Sequence, residues 1–135
     1  ADYLADSTST PADFVDALNT VNDLAYASDV KIAYNSAGTN EEQLEQIITQ
    51  KWISMFPDGQ EAWSEFRRTG YPRIFPVVVN NSGGTIDTAT QIRRINFVQG
   101  EVNTNGANVS TATGYLNGPD NGGTRLWWDT GAPNF

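Results

Sequence analysis

A broad apolar stripe on one helix sets the terms for the rest of this chain. Leu44, Ile47, Ile48, Trp52, Met55 and Phe56 recur at the three- and four-residue spacing that places side chains on one face of an α-helix. The start of that helix is also specified. Asn40 is a candidate N-cap, Gln43 follows three residues on, and Glu41, Glu42 and Glu45 put negative charge at the positive helix end. Pro57, which has no amide hydrogen to donate, ends it after Phe56. Beyond Asp58 and Gly59 a shorter helix is predicted over 60–68, with Trp63 and Phe66 facing inward and Gly70 where a left-handed C-cap belongs. The short link forces the two helices to be neighbours. An antiparallel hairpin over about 40–69 is therefore expected, burying Leu44, Ile48, Trp52 and Trp63.

The remaining sequence is loop-rich, with neither an internal repeat nor regular strand alternation. Thr10 as N-cap, Pro11 at the first helical position and Asp13 behind it predict a helix whose face carries Phe14, Leu18, Val21 and Ala25. Weak alternation over 30–34 predicts a short strand, and 35–40 a turn. The apolar run 74–79 is broken by Pro76 and reads as an extended edge segment. A last helix is predicted over 106–116, with Asn105 as cap and Gly118 after its end; the turn-forming 118–123 then delivers the chain into Leu126-Trp127-Trp128. The fold class is mainly α with long irregular loops.

Composition removes whole classes of function. With 16 acidic against 8 basic residues, the net charge of −8 offers nucleic acid no basic patch. The absence of cysteine excludes thiol nucleophiles and thiolate metal clusters, and the absence of histidine removes the commonest general base and the imidazole metal ligand. No apolar run approaches the roughly 20 residues of a membrane-spanning helix. Residues 1–11 lack the basic and apolar regions of an export signal, so any such signal is expected upstream. At 135 residues the chain is one domain at most, and as a lone domain it would be only marginally stable by burial.

Several blocks in sequence carry a family likeness: Ile47-Ile48-Thr49-Gln50-Lys51-Trp52-Ile53, Phe56-Pro57, Gln60-Glu61-Ala62-Trp63 and Phe66-Arg67-Arg68-Thr69-Gly70-Tyr71-Pro72. Arg93-Arg94, Glu101 with Asn103 and Asn105, Gly118-Pro119-Asp120-Asn121 and Gly123-Thr124-Arg125-Leu126-Trp127-Trp128-Asp129 follow in order. Together they resemble the SusD/RagB family over nearly the whole chain. One departure is local: Ile95-Asn96-Phe97-Val98 stands where similar members have a proline-tyrosine-proline run.

The resemblance implies the C-terminal part of a SusD-like, tetratricopeptide-containing α-α superhelical fold, with the repeats in an upstream N-terminal part of the same protein. It implies a lipid-anchored protein of the bacterial outer membrane in Bacteroidetes, with the anchor outside this segment. Such a protein captures oligosaccharide, starch or another polysaccharide fragment, for a SusC-type TonB-dependent transporter and needs no catalysis or cofactor. A segment that only docks the transporter is the alternative, and a glycoside-processing enzyme a further one.

Individual residues are weighed against plainer roles. Trp52 and Trp63, at helix-face spacing among aliphatic neighbours, read as core. Trp127, Trp128 and Tyr71 are the glycan-stacking candidates, since adjacent side chains in extended backbone point to opposite sides and one of the two tryptophans could face a ligand. Arg67, Arg68, Arg94 and Arg125 read as structural members of the family motifs, and the pairs Arg67-Arg68 and Arg93-Arg94 as partners of internal carboxylates in preference to gripping an acidic sugar. Glu61 and Glu65, one helical turn apart, superficially resemble a glycosidase pair, but adjacent carboxylates on an exposed helix face are common. Asp120-Asn121-Gly122 with Asp129 could offer oxygens to calcium, but the spacing is not that of an EF-hand loop and a turn is the default. Asp6-Ser7-Thr8 and Asp87-Thr88-Ala89 resemble bacterial O-glycosylation triplets. Finally, the stripe on the long helix and the four tryptophans exceed what the polar loops can cover, so exposed apolar surface is expected.

Overall fold

A computed structural model describes residues 2–135. The described residues form four short α-helices and two single 3-10 turns, with no strand among them. Their contacts gather in two units: a first reaching to Phe75 and including Ala132–Phe135, and a second, Pro76–Gly131.

The first unit is built on α1 (Asn40–Ser54) and α2 (Gly59–Thr69). The cap of α1 is Thr39, one residue earlier than predicted, and its hydroxyl accepts from the Glu42 amide. Gln43 turns back to donate to the carbonyls of Asn35, Ser36 and Gly38. The helix ends at Ser54, two residues short of the predicted Phe56, and Met55 and Phe56 run into a cis Phe56-Pro57 bond. Asp58 caps α2 by accepting from the Glu61 amide, and Gly70 closes it at φ +76°, a conformation few other residues adopt without strain.

The hairpin forms, but it buries less than expected. Ile48 and Phe66 are buried and Leu44 and Trp63 half-buried, while Trp52 remains 40% exposed beside exposed Ile47, Ile53 and Phe56. The anchor of the short α2 is Phe66; Trp63 instead lies under the Arg67 guanidinium, 3.7 Å from its ring centroid. An open apolar cavity of about 390 Å³ is lined by residues including Tyr26, Ile32, Trp52, Ile53, Pro72 and Phe75.

Two predicted elements of this unit are absent. Residues 11–25 form no α-helix, only the 3-10 turn Thr20–Asn22: Asp16 accepts from the amides of Leu18 and Asn19, Asn19 from Val21, and Asp13 from Tyr26. These local side-chain bonds offer the backbone an alternative to the helical ladder. Phe14 and Leu24 instead exchange amide bonds across a single antiparallel bridge, and Leu18 is 97% exposed. No strand forms at 30–34 either: the Ala33 amide donates to the Asp6 carbonyl, and other backbone groups are taken by a side chain. Gln46, buried on α1, donates to the carbonyls of Lys31 and Ala33 and accepts from the Asn35 amide. The C-terminal tail returns to this unit, where Asn134 donates to Glu41 and to the Thr69 carbonyl.

In the second unit α3 (Gln99–Thr104) and α4 (Gly106–Thr113) pack as a pair. The sequence does not predict α3, which is six residues long, contains Gly100 and lacks a side-chain cap. α4 stops at Thr113, short of the predicted Leu116, with Gly114 as its C-cap. Residues 74–79 form no strand, as expected of a segment interrupted by Pro76, and the Val77 amide donates to the Thr88 carbonyl.

Only Ile48, Phe66, Tyr71 and Val109 form buried apolar core among the described residues, while Leu18, Val21, Phe56, Tyr115 and Trp127 stand largely exposed. This burial is thin against the entropy of ordering the loops. The 135-residue polypeptide produced by itself is expected to aggregate or melt without a cooperative transition. A sharp two-state melt of a monomer, by calorimetry in dilute solution, would show the segment to be autonomous.

Candidate functional site

The second unit is organised by carboxylates that hold arginines. Arg93 approaches Asp129 in the bidentate manner, Nε to Oδ2 at 2.7 Å and a terminal nitrogen to Oδ1 at 2.8 Å, with both side chains about 5% exposed or less. Arg125 adds a second guanidinium to Asp129 at 2.5 Å, and Arg94 pairs with Asp120, which also accepts from the Phe97 amide. Burial pushes the Asp129 carboxyl upward, but hydrogen bonding and charge from Arg93 and Arg125 outweigh it and leave it below the usual carboxylate range. Asp120 is held low by the Arg94 hydrogen bond.

This network fixes the aromatic turn that follows it. The Asp129 amide donates to the Leu126 carbonyl at 2.9 Å, closing a turn with Trp127 and Trp128 at its corners. Trp127 is 88% exposed and Trp128 38%. Of the three stacking candidates, Tyr71 offers no open face within its unit: it is buried, and its hydroxyl donates to Glu41 at 2.8 Å.

Among the other predicted residues, Trp52 lines the apolar cavity of the first unit and Trp63 meets Arg67. Arg68 makes only an exposed bond to Glu65. Glu61 and Glu65 are bridged by Lys51 at 3.1 and 2.9 Å, so the superficial acid–base pair sits in a cluster of cations. Arg68, first, and Lys51 lower the Glu65 carboxyl, opposite to the upward shift a general acid needs. Asp120 and Asp129 are directed to different arginines and do not meet in a common oxygen cage. Ser7, Thr8 and Thr88 of the two glycosylation-like triplets are exposed. Arg93, read with Arg94 as one of two arginine pairs that meet internal carboxylates, does meet one, but an aspartate 36 residues away gives no local signal of which.

Residues 1–129 match the profile of the SusD-like family, described as SusD and RagB outer membrane lipoprotein. The chain belongs to the SusD/RagB family. Its fold is that of solved SusD-like proteins. It is 55% identical to a chitin-binding SusD homolog from Flavobacterium johnsoniae, with a TM-score of 0.91 over 98% of this chain and 28% of that one. A SusD homolog from Bacteroides vulgatus is 47% identical, with a TM-score of 0.85 over 98% of this chain and 27% of that one. A SusD-like protein from Bacteroides thetaiotaomicron is 42% identical at the same TM-score, over 93% and 27%. The chain thus spans little more than a quarter of each of these relatives. No match was found among curated proteins.

Within this SusD-like segment, removing Arg93 leaves a buried carboxylate short of its bidentate partner. Arg93→Ala, measured in the full-length protein, is expected to lower stability by about 3–5 kcal/mol, whereas exposed Arg68→Ala should change it by about 1 kcal/mol or less. Equal effects in chemical denaturation would contradict this ranking. The pH dependence has a definite sign. The folded-state carboxyls of Asp129 and Asp120 lie below their unfolded values, so their stabilisation is complete above the unfolded pKa of about 3.9 and is lost as pH falls through the depressed values. Denaturation midpoints should fall on acidification below that pH, and less steeply in Asp129→Asn.

Proposed function

We propose that this chain is part of a glycan-capturing outer-membrane lipoprotein that binds chitin-type oligosaccharide and passes it to a SusC-type TonB-dependent transporter. The observation that carries this reading is the 55% identity, over 98% of the chain, to a chitin-binding SusD homolog. The protein binds and does not cleave. Sugar capture needs a rigid aromatic face for the apolar side of a pyranose ring and neutral polar groups for its hydroxyls. Trp127 supplies such a face in this chain, displayed on a turn whose far end is held by the buried Asp129; Trp128, less exposed, is its neighbour at the turn. The exposed flank of α1, with Trp52 and Ile53, and Phe56 just after its end favour a second, docking role against protein.

Isothermal titration of the full-length protein should show chitohexaose binding more tightly than maltohexaose, with no shortened sugar in the mixture afterwards. Trp127→Ala should weaken chitohexaose binding by about tenfold, on the order of 1.4 kcal/mol for loss of an exposed aromatic anchor. Absence of any oligosaccharide binding, or release of shorter products, would overturn the reading.

A further inference from the structure

The triplets Asp6-Ser7-Thr8 and Asp87-Thr88-Ala89 lie in different units, yet they fold alike. Asp6 Oδ1 accepts from the amides two and three residues on, Thr8 at 2.8 Å and Ser9 at 3.0 Å, and Asp87 Oδ1 accepts from Ala89 at 2.9 Å and Thr90 at 2.7 Å. Each carboxylate thus closes a turn and sets the intervening residue, Ser7 or Thr88, at its corner. Backbone bonds anchor both turns: the Ala33 amide donates to the Asp6 carbonyl, the Val77 amide to Thr88 and the Gln91 amide to Asp87. Hydrogen bonds from Ser9 and Thr8 hold the Asp6 carboxyl below the usual carboxylate range, as those from Thr90 and Ala89 do for Asp87, so both caps are anionic at neutral pH.

Ser7 and Thr88 are exposed, and neither hydroxyl has a hydrogen-bond partner among the described residues. The hydroxyls of Thr8, Thr85 and Thr124 are by contrast engaged, donating to Asp6, Ser82 and Pro119. Small side chains, Thr8 and Ala89, follow the two corners and leave them open. A modifying enzyme would therefore meet each hydroxyl on a pre-formed surface turn, with no internal bond to break first. Asp16 closes a third turn of this kind over Leu18 and Asn19, but Ala17 stands at its corner and offers no nucleophile. The chemistry of the group added is constrained by the neighbouring aspartate. A phosphate would set like charge against like beside Asp6 or Asp87, whereas a neutral sugar adds none.

We propose that Ser7 and Thr88 are acceptor sites for O-linked glycosylation from an activated glycosyl diphosphate. The hydroxyl oxygen attacks the anomeric carbon and a new C–O bond forms as the bond from that carbon to the diphosphate oxygen breaks. The diphosphate departs with the bonding pair, and the hydroxyl proton passes to a base of the transferase, since Asp6 and Asp87 are occupied as caps. Neither site depends on the capture of a glycan ligand. Full-length protein purified from its native bacterium, digested and sequenced by electron-transfer mass spectrometry, should show sugar-sized mass increments on Ser7 and Thr88 and none on Thr85. Thr88→Ser, which keeps the hydroxyl, should keep the sugar. Asp87→Ala, which removes the cap at an exposed position, should lose it from Thr88 while Ser7 in the same molecules retains its own. Bare Ser7 or Thr88 in the native protein, phosphate in place of sugar, or unchanged occupancy of Thr88 in Asp87→Ala would each overturn the assignment.

Discussion

Asp129 is the group on which the second unit depends. A carboxylate with almost no access to water is stable as an anion only if its partners replace the lost hydration, and Arg93 and Arg125 do so from two directions. Val109 is the only apolar side chain of this unit that is buried, so loops that would elsewhere be held by a hydrophobic core are held here by charge-assisted and backbone hydrogen bonds. Such bonds are directional and tie the positions of the loops closely, which suits a surface that must keep its shape without much packing beneath it. The same arrangement leaves both the Trp127 turn and the loop at Gly122 tied to one carboxylate network: Asp129 closes the turn, and Arg93 meets both Asp129 and Gly122.

The legible parts of the fold were those with local signals. α1 and α2 declared themselves by periodicity, and Asp58 and Gly70 occupy the positions that helix ends require. The same kind of signal failed at residues 11–25, where Thr10 and Pro11 do resemble a helix start. Asp13, Asp16 and Asn19 carry acceptors that reach nearby amides, and with no helix-facing core to reward the alternative, the local bonds win. Residues 30–34 show a different limit: whether an alternating run becomes a strand depends on a partner, and here the partner is the side chain of Gln46.

The candidate site was legible only as a set of residue types. The SusD/RagB blocks could be recognised because several occur in order, and the family profile covers residues 1–129. What each residue does was not written locally. Tyr71 and Trp127 are both aromatics in motif blocks, yet one is buried with its hydroxyl on Glu41 and the other is almost fully exposed. Arg93 and Arg94 are adjacent in sequence and choose carboxylates 36 and 26 positions away. These choices depend on contacts distant along the chain, which periodicity and capping do not encode. The uncovered flank of α1 belongs with the legible part: an apolar stripe longer than its hairpin partner can mask is visible in the order of residues alone.

The returning tail gives the chain an architectural property of its own. Contacts of the first unit stop at Phe75 and resume at Ala132, and Asn134 is fastened to Glu41 and Thr69 beside the start of α1 and the end of α2. The second unit is therefore an insertion whose entry and exit both belong to the helical hairpin's unit. Because the entropy of closing a loop grows only slowly with its length, such an insertion can be lengthened, shortened or rewritten at little expense to the hairpin that anchors it. The chain thus separates an element that must stay fixed from one that is free to diversify.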